Sequence, residues 1–374
     1  MSSPAPSVDL QSRRLQSLDL FRGLVMFLLV AEGTGLYEAL SGMRPEGSFF
    51  HSLVAQFHHH PWHGLRFWDL VQPYFMFIVG VAMPFSLAHR QKLGFSDAEN
   101  FRHILRRCLL LLLFGIMLHC GYRGAIVWEL WNVLSQLSFT ILVAYLIMRW
   151  PPLRQILFSA GLLLLTEMLY RLTSISGYDQ PFVQGHNFGS FMDTVLMGKI
   201  NHDGWVAINC IPTAAHTIWG VLVGQLIRAK KGAIYTAGLL AGAGLTLLLL
   251  GYGLDWAGIT PIIKRICTSS FILASGGWCL LTLAFFYWLV DIRGVHQWTP
   301  FFIIVGMNPI FIYLFSQSVG HQWFNGYVAI YTDGILGPLG VSPTWVQPFT
   351  ALVALGLQWG LCYWLYRRKI FFRI

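Results

Sequence analysis

Apolar runs long enough to cross a lipid bilayer recur from one end of this chain to the other, and that repetition limits the fold more than any motif does. Each run of about 20 residues matches the ~30 Å hydrocarbon core of a membrane when coiled as a helix. Stretches such as Leu109–Phe114, L-L-L-L-L-F, show none of the alternation of apolar and polar residues that a β-barrel strand requires. Only 11 % of the residues are charged, against roughly 25 % in soluble domains. The chain therefore reads as an all-α, polytopic transmembrane helical bundle. Its expected spans lie at 17–40, 67–88, 108–122, 127–148, 153–171, 205–228, 233–252, 262–290, 298–319 and 345–366, about 10 in all (10–11). Nothing marks a soluble domain, so 1–374 is one transmembrane domain. No cleavable leader is expected, because the first 16 residues are polar and the first span is too long.

Lys and Arg set the expected orientation. With a cytoplasmic N-terminus, 18 of the 25 fall at inner ends or loops, among them Arg13, Arg14, Arg90, Arg107, Lys230, Lys231 and Arg373. That bias follows the positive-inside rule and puts both termini in the cytoplasm, in a cell's inner membrane. The net charge of +9 is topogenic and implies no nucleic-acid partner. The segment from Arg90 to Arg107 alternates charge with Phe95, Phe101 and Ile104, so a short amphipathic surface helix is expected there. Three long outer segments, 41–66, 172–204 and 320–343, suggest that the outer face builds a site. The six cysteines lack paired spacing and read as small apolar packing residues.

Ionisable groups inside spans cost at least ~2.5–3.5 kcal/mol each, so each demands a reason. Asp19 and Arg22 are one helical turn apart and can pair, or Arg22 can hold a phosphate. Glu32 sits in the outer half of the first span with no adjacent cation. Gln136, Asn209, His216, Lys264, Arg265 and Asn308 are the other polar residues; interhelical hydrogen bonding accounts for most of them. The G-M-N-P step at 306–309 is expected to break its helix.

The densest chemistry lies at 57–70, F-H-H-H-P-W-H-G-L-R-F-W-D-L. Contiguous histidines are poor metal ligands, since adjacent side chains diverge and no Cys or Glu completes a tetrahedron, so no metal is expected. One general base among His58, His59, His60 and His63 fits better, with Asp69 placed to orient an imidazole or merely to start a helix.

R-L-Q-S-L-D-L-F-R-G at 14–23, Q-F-H-H-H-P-W-H-G-L-R-F-W-D-L-V-Q-P-Y-F-M-F-I-V-G at 56–80, P-I-I-K-R-I-C-T-S-S-F-I-L at 261–273 and P-F-F-I-I-V-G-M-N-P-I-F-I-Y at 300–313 occur in that order. Together they resemble the heparan-α-glucosaminide N-acetyltransferase family and its bacterial relatives of the transmembrane acyltransferase type. The resemblance implies transfer of the acetyl group of acetyl-CoA to the amine of an amino sugar of glucosamine type across the membrane. Its H-x-x-W-x-G pattern falls on His59, Trp62 and Gly64, making His59 the implied base or acetyl carrier.

Placement supplies the other expected roles. Asp69 or Glu32 orients the imidazole and favours its cationic form. Trp62, Gln136, Lys264 and Asn308 contact substrate, the last two as oxyanion donors. Asp19, Arg22 and the inner arginines hold the donor. The expected partners are acetyl-CoA, an amino-sugar acceptor and the lipid bilayer, with a homodimer allowed. The competing expectations are a transporter of a small sugar or lipid-linked solute, which suits broken helices and buried ions, and an accessory subunit that only presents the donor.

Overall fold

A computed structural model describes residues 15–43 and 47–372; the topogenic Arg13, Arg14 and Arg373 lie outside them. The regular elements among the described residues are all helices, without a strand, and one isolated antiparallel bridge joins His63 to Ile263. Seven helices are long and apolar enough to cross a membrane: Phe67–Lys92, Asp97–Arg123, Pro152–Leu172, Ala207–Arg228, Ala233–Trp256, Ser269–Ile292 and Pro343–Arg367. An eighth results if Thr299–Gly306 and Pro309–Leu336, bent by 76°, count as one span. The chain is a multi-pass membrane protein. Two of the ten expected spans are helices of another kind. α1, Gln16–Gly33, carries Asp19, Arg22 and Glu32, and α6, Val133–Ile147, has only 15 residues.

The expected surface helix at 90–107 is a different object. α4, Val71–Lys92, ends at Lys92, and after a tight turn α5 runs unbroken from Asp97 to Arg123. Ser96 caps α5 and exchanges hydrogen bonds with Glu99, a capping box, and no proline interrupts the next 27 residues. The basic, amphipathic stretch is thus the first turns of a spanning helix. The G-M-N-P expectation fares better: helix α12, Thr299–Gly306, stops there and α13, Pro309–Phe315, starts anew, because Pro309 has no N–H to continue the ladder.

Close backbone approach organises the centre. α4 crosses α9, Cys210–Arg228, where Gly80 meets Gly220; a Cβ on Gly80 would lie 2.1 Å from the Thr217 carbonyl oxygen. Gly23 of α1 meets the Phe302 carbonyl of α12 just as tightly, at 2.1 Å from an added Cβ. Around these crossings Leu20, Phe21, Val25, Phe77, Val81, Leu283 and Val290 are fully buried.

Candidate active site

The histidine segment is a loop folded onto a carboxylate. Asp69, fully buried, accepts from the Arg66 backbone N–H at 2.9 Å and the His60 N–H at 3.3 Å through Oδ2. Its other oxygen, Oδ1, faces Nδ1 of His59 at 3.0 Å. Arg66 closes the loop by donating to the His59 carbonyl at 3.2 Å. One carboxylate therefore both shapes the loop and orients the ring.

A second segment is clamped against it. Residues 261–268 lie beside the loop through the His63–Ile263 bridge, with Gly64 N–H donating to the Ile262 carbonyl at 2.8 Å. Gly64 holds φ +140° and abuts the His60 ring, so a side chain there would be strained and would collide. This docking brings Lys264 Nζ to 3.0 Å from His59 Nδ1 and 3.6 Å from Asp69 Oδ1. Trp205 completes the cluster. Its ring stands edge-on to His59 with centroids 5.5 Å apart, and Lys264 and Arg265 lie over it at 5.3 Å and 5.6 Å.

Burial, reinforced by the Lys264 cation, holds the His59 imidazolium down to a pKa of about 4, against the pull of Asp69. The expectation that a carboxylate would favour the cationic ring is corrected: desolvation and Lys264 outweigh it, and His59 is neutral near pH 7. Burial also lowers the Lys264 ammonium, with Asp69 opposing. An ionised Asp69 can only accept, so it takes both the His59 Nδ1–H and the Lys264 ammonium, and the proton on Nδ1 leaves Nε2 as a lone pair. Nε2 makes no hydrogen bond among the described residues.

His59 opens onto a cavity of about 380 Å³ lined also by Glu32, Trp68, Gln72, His119, Tyr122, Trp131, Asn132, Trp205 and Lys264. The neighbouring histidines point elsewhere: His58 bonds Ser41 and His63 bonds Asp255. A second cavity of about 160 Å³ opens near the far end of α4 and the start of α5, lined by Arg22, Arg90, Asn100, His103, Arg107 and Tyr145. Phe75, Val133 and Tyr313 line both cavities, so only these side chains are shared between the two spaces.

The expected site residues divide accordingly. His59, Glu32 and Lys264 line the first cavity, and Asp69 backs it. Glu32 accepts from Trp68 Nε1 at 3.1 Å and has no hydrogen bond to His59. Gln136 stands behind Gln72, to which it is hydrogen-bonded. Trp62 is a strut: its Nε1 donates to the Phe182 carbonyl at 2.8 Å, tying the histidine loop to the long segment after α7, Pro152–Leu172. Asn308 is not brought to the site. Its amide donates to the Ile370 carbonyl at 2.9 Å and accepts from the Phe372 N–H at 2.8 Å, pinning the helix break to the chain's C-terminal stretch. Arg22 lines the second cavity while paired to Asp19 at 2.5 Å and to the Gly306 carbonyl at 2.9 Å. Sequence reasoning missed Trp205, Gln72 and His119. Only the polar and aromatic character of the runs that hold them could have flagged these.

Comparison with known proteins agrees with the motif likeness. Heparan-alpha-glucosaminide N-acetyltransferase of Homo sapiens is 25 % identical over 426 residues, covering 96 % of this chain. The chain is a distant relative of that enzyme. The Mus musculus protein of the same name is 24 % identical over 97 % of the chain. This chain spans about 60 % of the length of these relatives. A family model described as a domain of unknown function (DUF5009) matches residues 14–149, the part that contains α1, the histidine loop, α4, α5 and α6. The resemblance to the heparan-alpha-glucosaminide N-acetyltransferases thus extends over nearly all of this chain, including both cavities.

Proposed function

We propose that this protein is a transmembrane N-acetyltransferase that moves the acetyl group of acetyl-CoA to the amine of a glucosamine-type amino sugar. In this reading the chain has ten spans with both termini cytoplasmic, in a cell's inner membrane. The basic cavity then faces the cytoplasm and the histidine cavity the opposite side. One observation carries the proposal: a cavity lined by Arg22, Arg90 and Arg107 and a cavity lined by His59 border the same three side chains, Phe75, Val133 and Tyr313. A donor with a polyanionic head and a long, thin thioester arm suits that shape. Arg107 Nε supports it, being buried with no hydrogen-bond partner among the described residues. A buried guanidinium N–H left unpaired is costly, and a phosphate oxygen would satisfy it.

At the far end, Nε2 of His59 acts on the thioester carbonyl or on the attacking amine. As base, it takes a proton from the amine nitrogen as the C–N bond forms, and passes it to the sulfur as the C–S bond breaks. As carrier, Nε2 itself bonds the acetyl carbon while the thiolate leaves. The sugar amine then attacks, the C–Nε2 bond breaks, and the proton shed by the amine nitrogen passes by way of Nε2 to the thiolate, giving CoA–SH. Asp69 holds the ring for either course, and the Lys264 ammonium is placed to donate to a developing oxyanion. The activity named for the relatives and the H-x-x-W-x-G pattern of His59, Trp62 and Gly64 support the acetyl transfer, and assay against a panel of amino sugars identifies the acceptor.

Release of CoA from acetyl-CoA by the purified protein, with and without glucosamine, tests the reading. Amine-dependent release that falls at least ~100-fold in His59→Ala, in protein that still elutes as a folded species, is the expected result. Full activity in His59→Ala would remove the assignment. Solute uptake into proteoliposomes without CoA release would favour the transporter.

A further inference from the structure

The cavity that holds His59 holds a second imidazole mounted on a carboxylate. His119, in the last turns of α5, places Nδ1 2.6 Å from Oε2 of Glu129 in the loop before α6. Glu129 is buried, yet its other oxygen receives Lys199 Nζ at 2.7 Å and Arg123 Nε at 3.3 Å. Burial pushes its carboxyl up, but the hydrogen bonds from Lys199 and His119 outweigh that and hold it below the usual carboxylate range. An ionised Glu129 accepts only, so Nδ1 of His119 carries its proton and Nε2 is a lone pair. Nε2 has no hydrogen-bond partner among the described residues, and His119 lines the cavity with Tyr122, Trp131 and Asn132. Arg123 and Lys199 both pair with Oε1 of Glu129 and already neutralise its charge, while His119 alone holds Oε2.

We propose that His119, oriented by Glu129, is a second base, which takes the first proton from an acceptor that enters as an ammonium ion. The inference rests on the acetyl-transfer reading above and deepens it. An ammonium R–NH3+ must shed two protons to become an amide. The first N–H bond breaks towards Nε2 of His119, giving an imidazolium stabilised by Glu129. The freed lone pair forms the C–N bond, and the second proton leaves through His59 to the departing sulfur as the C–S bond breaks. His119 then releases its proton to water, so the products are the N-acetyl sugar, CoA–SH and one proton. His59 is ill suited to the first task because Lys264, Arg265 and its own burial all disfavour a cation there. His119 faces Glu129 with Tyr122 edge-on, and Arg123 and Lys199 spend their charge on the same carboxylate.

The test compares two acceptors on the same sugar scaffold: an aminomethyl sugar, fully protonated near neutral pH, and its aminooxy counterpart, which is neutral there. His119→Gln and, independently, Glu129→Gln are expected to lower kcat/KM for the aminomethyl sugar about 30–100-fold, within the range of general-base effects, and for the aminooxy sugar by no more than about threefold. Raising the pH should restore the aminomethyl reaction. Equal losses on both acceptors, or no loss on either, would overturn the second base while leaving acetyl transfer intact. Wild-type protein that releases no CoA with either acceptor would overturn both readings together.

Discussion

Lys264 Nζ stands 3.0 Å from Nδ1 of His59, across a sequence separation of 205 residues. The contact reinforces what burial does to the charge of the ring. A neutral His59 is the competent form, and its pKa of about 4 keeps it neutral down to mildly acidic pH. Removing the cation in Lys264→Met relieves one of the three causes of that depression, burial and Arg265 being the others, so the pKa rises towards the ordinary ~6.5. The acid limb of kcat/KM should therefore move upward by about one pH unit, with the neutral plateau lost first as pH falls. A pH profile of CoA release measures this. An unmoved limb would mean that burial alone, with Arg265, controls the ring.

The basic cavity yields a different signature. Arg107 lines it with a buried, unpartnered Nε, beside Arg22 and Arg90. Arg107→Ala should raise KM for acetyl-CoA roughly 10-fold, the effect of losing one charge-assisted hydrogen bond of ~1.5 kcal/mol or more, with kcat nearly unchanged. Steady-state kinetics with varied acetyl-CoA checks it. A fall in kcat at constant KM would move Arg107 out of the donor site.

How far the sequence reached can be judged from single residues. His59 and Asp69 lie ten residues apart in one loop, and local spacing was enough to pair them. Lys264 was legible as a polar residue at a span's edge but not as a neighbour of His59, since that contact depends on the long-range docking of 261–268 at the His63–Ile263 bridge. Asn308 misled for the opposite reason. A G-M-N-P break looks like a ligand-lining break, yet the chain's own Ile370 and Phe372 satisfy its amide. His119 was passed over as part of an apolar helix, and its meaning comes from its contact with Glu129 in the loop before α6. Helix identity was readable from hydropathy. Which polar side chains share a cavity was not, because that depends on crossings such as Gly80 on Gly220.

That crossing gives a stability prediction. An added Cβ at Gly80 would stand 2.1 Å from a backbone carbonyl oxygen of α9, which cannot rotate away as a flexible side chain could. Gly80→Val must force α4 and α9 apart, a cost of about 1–3 kcal/mol or more. Thermal unfolding in detergent should show a midpoint several degrees lower than wild type, at unchanged chemistry per folded molecule. A midpoint equal to wild type would show that the two helices separate freely.

The junction of the two cavities can be tested by closing it. Val133 lines both, at the start of α6, where Phe75 and Tyr313 also line both. A tryptophan at position 133 would fill the junction without touching His59, Asp69 or the arginines. Val133→Trp should cut acetyl transfer from acetyl-CoA by about 10²-fold, as expected when the reacting carbonyl no longer reaches its near-attack position. A short acetyl thioester lacking the nucleotide, small enough to enter the histidine cavity from its open side, should still be used at close to the wild-type rate. Assaying both donors on the same preparation separates blockage from misfolding, since misfolding would abolish both. Equal loss of both rates, in protein that melts like wild type, would mean that the donor does not pass between Phe75, Val133 and Tyr313.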